Sequence, residues 1–327
     1  MDGVIFILIL LASGWILRQL RARPSTTEGA LPAWSDWPRI FPDNTAKVLT
    51  QFILFVSLPA LILVQIPRTD FTKDVFVVVA MPWLILFLSS GLVWVVAYWR
   101  GWSRAITGAL LLLVPLGNTS FFGVPMVEAF LGKEMVPYAL VYDQLGTFLA
   151  LATYGAVVVA LYSDTTVSCK APLNWKVMRT DIVCKIVGFP PLQFLIVAFA
   201  IKFSGWSYPD MATTMLESLA ATVVPLAIIA VGLQIKPFLD REALPPLGFG
   251  LVVKLCIAPL LAIGLCKLFG WTGPTASLAI FEAGMPSQIG AWAVSMAAGF
   301  DQRVAAPMVG FGIVISLVTL SLLAYVL

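Results

Sequence analysis

Between Val75 and Tyr98 the chain reads VFVVVAMPWLILFLSSGLVWVVAY, with no charged side chain. A helix of that length crosses roughly 30 Å of hydrocarbon, and comparable runs recur from one end of the sequence to the other. Backbone in lipid has no water to bond, so a crossing segment must satisfy its own N–H and C=O groups, as a helix or in a closed barrel. These runs are far too long for barrel strands. Spans are predicted at about residues 3–18, 47–66, 75–98, 105–131, 138–162, 186–203, 213–235, 246–269, 274–298 and 304–327. With 11% charged residues and a mean hydropathy of +0.96, no material is left for a separate soluble domain. The expected fold class is an all-α membrane protein with ten transmembrane helices.

The opening stretch, MDGVIFILILLASGWILRQLRAR, carries Asp2 before its apolar run and Arg18, Arg21 and Arg23 after it, the reverse of a signal peptide. It reads as an uncleaved first span with its N-terminus outside. Fourteen of the 20 Lys and Arg residues then fall in cytoplasmic loops and five on the other side, with Lys254 inside a span. That bias predicts a multi-pass protein of the plasma (bacterial inner) membrane with both termini outside, facing the periplasm. Because the basic residues sit in short topogenic loops, the net charge of +3 points to the lipid bilayer and not to nucleic acid as a partner. Cys169, Cys184, Cys256 and Cys266 lack metal-ligand spacing and read as filler. The loop at 21–46, rich in Pro, Trp and Ser/Thr, reads as interfacial, with Trp34 and Trp37 at the headgroups.

LGNTSFFGVPMVEAF, residues 116–130, places Gly, Asn, Thr, Ser and Pro in the middle of the fourth span. The ninth span is broken likewise, in AIFEAGMPSQIGAW at 279–292. Pro59 and Pro225 match in the second spans of the two halves, and Pro125 and Pro286 in the fourth. Each half has an odd number of spans, so the repeats must enter the membrane with opposite topology: residues 1–162 as one five-helix repeat, 163–185 as a cytoplasmic linker, and 186–327 as the inverted second repeat. Interrupted backbone at that depth must be buried in protein or line a wet cavity, so Asn118, Thr119, Ser120 and Ser287 are expected to face inward. Pro125 and Pro286 are each expected to open a new half-helix whose free N–H groups attract an anion. A small organic anion, a carboxylate, is the expected substrate, bound by Asn118, Thr119, Ser120, Pro125, Pro286, Ser287 and Gln288.

Ionisable side chains within membrane spans are functional candidates by default. Glu282, beside the break in the ninth span, reads as a ligand for Na⁺ with Gln288, as the carrier of a coupling H⁺, or as a structural cap. Asp143 reads either as an ion-coupling group or as a carboxylate near the outer headgroups. Lys254 reads as a substrate or switch cation, or as a lysine snorkelling to the cytoplasmic surface, and Glu128 as a carboxylate snorkelling to the outer one.

The segments GNTSFFGVPMVEAFLG (117–132), YALVYDQLG (138–146), AVGLQIKP (230–237) and EAGMPSQIGAWAVSMAAGFDQRVAAPMVGFGIVIS (282–316) resemble the auxin efflux carrier family, within the bile acid, arsenite and riboflavin transporter superfamily. LPALI in the second span and a Gly14-Trp15 turn before LRQLR agree with it. The resemblance implies two inverted five-helix repeats, a scaffold and a transport domain, broken and crossing helices 4 and 9, carboxylate transport, and a homodimer. Glu282-Ala-Gly-Met is also similar to the ion-binding stretch of sodium-coupled bile acid transporters, which have glutamine where Pro286 stands. The first cytoplasmic loop is longer and richer in Pro and Trp than expected of the auxin efflux carrier family.

The functional expectation is a secondary carrier of small organic anions working by alternating access, with Na⁺ or H⁺ coupling through Glu282 and Asp143 and no other cofactor. The alternatives are an uncoupled, potential-driven anion uniporter or exporter, and an anion channel. Export needs no coupling, since a membrane potential supplies about 2.3 kcal/mol per charge per 100 mV. An enzyme is not expected. The chain has no histidine, and its intramembrane acids form no paired-aspartate motif.

Overall fold

The computed structural model describes residues 9–16, 44–71, 75–163, 175–234 and 240–327. Trp34, Trp37, Cys169, residues 1–8 and residues 164–174 of the 163–185 linker lie outside the described residues, while residues 175–185 of that linker are helical. The described residues form helices in chain order: α1 (9–16), α2 (Thr45–Arg68), α3 (Val75–Arg100), α4 (Arg104–Leu113), α5 (Val124–Phe130), α6 (Lys133–Tyr162) and α7 (Trp175–Val187). There follow α8 (Pro190–Ser204), α9 (Asp210–Leu233), α10 (Leu244–Phe269), α11 (Pro274–Ala283), α12 (Ile289–Ala297) and α13 (Gln302–Val326). Six of them, α2, α3, α6, α9, α10 and α13, are long and apolar enough to cross a membrane, and the described residues contain no named strand.

Four stretches widen into π-helical turns: Ile53–Ser57, Thr119–Gly123, Asp143–Phe148 and Val253–Ile257. Three of these end two residues before a proline, Pro59, Pro125 or Pro259. A proline cannot donate to the carbonyl four residues back and its ring collides with it, and the wider turn moves that carbonyl aside. In the remaining one, Asp143–Phe148, the Trp83 indole N–H donates to the Leu145 carbonyl at 3.1 Å.

The two interruptions complete each other. Past α4 the backbone leaves the helix and resumes as the π turn at Thr119, and past α11 it is irregular from Gly284 until α12. Gly117 and Ser287 form an antiparallel bridge between them. The Asn118 N–H donates to the Pro286 carbonyl at 2.7 Å, and the Gln288 N–H to the Leu116 carbonyl at 3.0 Å. Each break thus supplies partners for backbone groups that lipid would leave unpaired.

Three sequence expectations need correction. Pro125 does not open the half-helix, because helical backbone has already resumed at Thr119 and runs on into α5. Nor does Pro286, which lies in the irregular segment with its carbonyl committed to Asn118, while α12 begins at Ile289. Gly14 and Trp15 make no turn: both lie within α1. A β-carbon at Gly232 in α9 would stand 2.7 Å from the Leu11 carbonyl and 3.0 Å from Gly14 Cα, so the two glycines let two backbones touch. Gly232→Ala is expected to cost about 1–3 kcal/mol by forcing α1 away, measurable as a lower Tm of the detergent-solubilised protein.

Apolar packing divides into two cores. One unites α2, α8 and α9 through residues such as Ile62, Leu195 and Ala227. The larger one gathers α3, α4, α6, α10, α11 and α13 through residues such as Ile85, Leu112, Phe281 and Met308. The Ser57 and Thr222 hydroxyls share a hydrogen bond of 2.7 Å, tying α2 to α9 next to Pro59 and Pro225.

Candidate functional site

Asp143, Lys254 and Glu282 are the buried charged residues among those described, each at most 2% exposed. They arrive on three elements: the π turn in α6, the π turn in α10, and the last turn of α11. Because π turns leave backbone and side chains off the regular helical stripe, they direct polar groups inward where a continuous helix would keep an apolar face.

Thr119 donates its hydroxyl to Asp143 Oδ1 at 2.5 Å, the Gln144 amide donates to Oδ2 at 2.6 Å, and Ser120 also interacts with this carboxylate. Asp143 is therefore hydrogen-bonded in the protein interior and not at the headgroups. Lys254 does not snorkel. Its ammonium donates to the Ala283 carbonyl at 3.2 Å and packs against Gly117, where a β-carbon would stand 3.2 Å from Nζ. Glu282 lies against the other break: a β-carbon at Gly123 would be 2.9 Å from its Oε2 and 3.3 Å from the Asn118 carbonyl. Only a residue without a side chain lets that carboxylate approach so closely. Asp143 and Lys254 both act on Glu282 electrostatically.

With all three ionised, the cluster carries a net charge of −1 in a low-dielectric interior. Neither Glu282 oxygen has a hydrogen-bond partner among the described residues, nor do the side-chain amide atoms of Asn118, the Ser287 hydroxyl or the side-chain Oε1 of Gln288. Buried polar groups without partners are costly, so such a concentration at one place marks a site that completes itself with something from outside. A cavity of about 10 Å³ lies there, lined by Gly117, Thr119, Tyr142, Lys254 and Glu282 among others. That is close to the ~10–15 Å³ which admits one water-sized occupant.

A family model for membrane transport proteins matches residues 33–324. The chain belongs to this family of membrane transport proteins. The auxin efflux carrier resemblance read from the broken-helix motifs agrees with that match. A transporter described as uncharacterized from Methanothermobacter thermautotrophicus is 24% identical over 329 residues, covering 100% of this chain and 98% of its own. A second, from Methanocaldococcus jannaschii, is 24% identical over 265 residues, covering 76% of this chain and 79% of its own. The protein is thus a multi-pass membrane transporter.

For this transporter the structure gathers Asn118, Thr119, Ser120, Asp143, Lys254 and Glu282 around the crossing of the two breaks. Ser287 enters through its backbone bridge to Gly117. Of the predicted site residues, Thr119, Lys254 and Glu282 line the small cavity; Asn118, Ser120, Asp143, Pro286, Ser287 and the half-buried Gln288 do not, and Pro125 lines the larger cavity instead. Sequence reasoning missed Gly123 as the seat of Glu282 and Tyr142 as a wall. It also missed a larger cavity of about 660 Å³ between α2, α5 and α9, at the join of the two cores. Of its charged residues, Arg68, Glu128, Lys133 and Glu217, the sequence reading had singled out only Glu128, as a carboxylate snorkelling to the outer surface.

Proposed function

We propose that the protein is a secondary carrier of small organic anions, carboxylates, that moves them by alternating access coupled to Na⁺ or H⁺. The observation that carries this reading is the buried cluster of two acids and one base whose Glu282 oxygens lack partners. A net negative charge in the interior of a membrane bundle is stable only when a cation neutralises it, and a proton or a sodium ion does so equally in charge. Glu282 Oε2 and the Asn118 backbone carbonyl both lie beside Gly123 and would be the oxygens offered to Na⁺, while Glu282 alone would hold a proton. Asp143, already engaged by Thr119 and Gln144, fixes the field in which Glu282 works.

The two inverted repeats, 1–162 and 186–327, make a ten-span design in which spans four and nine are the broken pair. The hydrogen bonds between the breaks and the Ser57–Thr222 contact support it. The core around α2, α8 and α9 acts as the scaffold and the larger core as the moving body, with the 660 Å³ cavity as the substrate's route between them. Its size is that of small-molecule sites. By the positive-inside bias this cavity faces outward and both termini lie outside, in the plasma (bacterial inner) membrane.

The test is uptake of acetate, benzoate, malonate and malate into proteoliposomes under an inward Na⁺ gradient, an inward H⁺ gradient, or neither. Saturable uptake of at least one acid that rises with one cation gradient is expected. Flux that follows membrane potential alone makes the protein a uniporter, large single-channel currents make it a channel, and absence of flux for every acid ends the carboxylate reading.

A further inference from the structure

The Arg68 guanidinium, at the end of α2, is paired with Glu217 of α9 at 2.7 Å across the mouth of the 660 Å³ cavity. On the facing wall Lys133 stands 3.7 Å from Glu128. The rest of the lining, including Leu61, Val64, Val136 and Val223, is mostly apolar. The rim therefore holds two cations, each already matched by a carboxylate of the chain itself, over a wall suited to hydrocarbon. The Arg68 and Glu217 side chains are 55% and 49% exposed, so water and solutes reach the pair. Exposed ion pairs add little net stability, so a second carboxylate displaces Glu217 at small cost and gains the charge-assisted hydrogen bond that Glu217 now accepts from the guanidinium.

We propose that Arg68 is the group that first binds the substrate's carboxylate in the large cavity, and that Glu217 is a built-in competitor which must leave it. This rests on the carboxylate-carrier reading. The pair that the exchange breaks joins α2 to α9, two helices of the same core, on the wall facing α5. Pro125 of α5 lies on the opposite wall, two residues from Gly123, which seats Glu282, so one helix separates the entering carboxylate from the buried cluster. The ligand class is a carboxylate with an apolar body: the guanidinium takes the charged end and the aliphatic wall takes the rest.

The experiment is a thermal-shift titration of the full chain in detergent with acetate, benzoate and malonate at constant ionic strength. Wild type is compared with Glu217→Gln, Arg68→Gln, Arg68→Lys and the Arg68→Gln/Glu217→Gln double variant, with Asp210→Asn as a control for lost negative charge. Glu217→Gln is expected to lower the half-saturating concentration of the best probe roughly tenfold, and Arg68→Gln to raise it by about as much, as for loss of one charged hydrogen-bonding partner. Arg68→Lys should fall between wild type and Arg68→Gln, and Glu217→Gln should have no effect once Arg68 is gone. If a probe binds wild type and the Arg68 or Glu217 variants match it, or if Asp210→Asn reproduces the Glu217→Gln gain, the Arg68 assignment is wrong and the carrier reading stands. If no probe binds wild type, both are wrong.

Discussion

Glu282→Gln is expected to yield a folded protein whose carboxylate uptake no longer responds to a cation gradient. Glutamine keeps the shape of the side chain but removes its charge, so the buried cluster becomes neutral, with Asp143 balanced by Lys254. With one-to-one coupling in wild type, a tenfold inward cation gradient supplies about 1.4 kcal/mol and drives roughly tenfold accumulation of substrate. In the variant the accumulation ratio should stay near one under the same gradient, because the group that needs the cation is gone. Proteoliposome uptake at several gradients measures this directly. A variant that still concentrates substrate with the wild-type slope moves the coupling site elsewhere and leaves Glu282 a structural cap.

Lys254→Met should be the most destabilising single change at the crossing. The methionine fills much the same space but leaves two ionised carboxylates, Asp143 and Glu282, without their buried countercharge, and it removes the donor to the Ala283 carbonyl. Removing one partner of a buried charged group costs about 3–5 kcal/mol. The expected readout is a marked drop in Tm with loss of transport. Adding Glu282→Gln removes one of the stranded charges, so the double variant should regain most of the lost Tm without regaining cation-driven uptake. If the double variant is no more stable than Lys254→Met, the lysine and Glu282 do not balance one another and the cluster is not a single electrostatic unit.

Much of this arrangement is written locally in the chain. The Val75–Tyr98 run requires a membrane helix whatever surrounds it, and the structure extends it only to Val75–Arg100. The breaks at 114–118 and 284–288 are signalled by Gly, Asn, Ser and Pro at depths where lipid forbids open backbone. Helix restart was misread, because the proline rule describes a helix beginning at a free end. At Pro125 a π turn already carries the chain, and at Pro286 the carbonyl is held by Asn118 of the other break. Gly14 was misread for a similar reason: its role is a backbone contact with Gly232, which no local pattern shows.

Lys254 shows where local reading stops. Its long aliphatic stem suits a lysine that reaches for the surface as well as one that points inward, and neighbouring residues do not choose between them. The choice follows from Glu282 and the Ala283 carbonyl, brought beside it by another helix. The sequence alone determined that this protein lives in a bilayer, that it is helical there, and where two of its apolar runs must break, since hydropathy and backbone chemistry act over a few turns. Only the tertiary structure decided that the two breaks pair with each other, that two acids and one base share one buried place, and that Arg68 faces Glu217. Those are contacts between distant segments, and their energy exists only once packing has excluded water and lipid from between them.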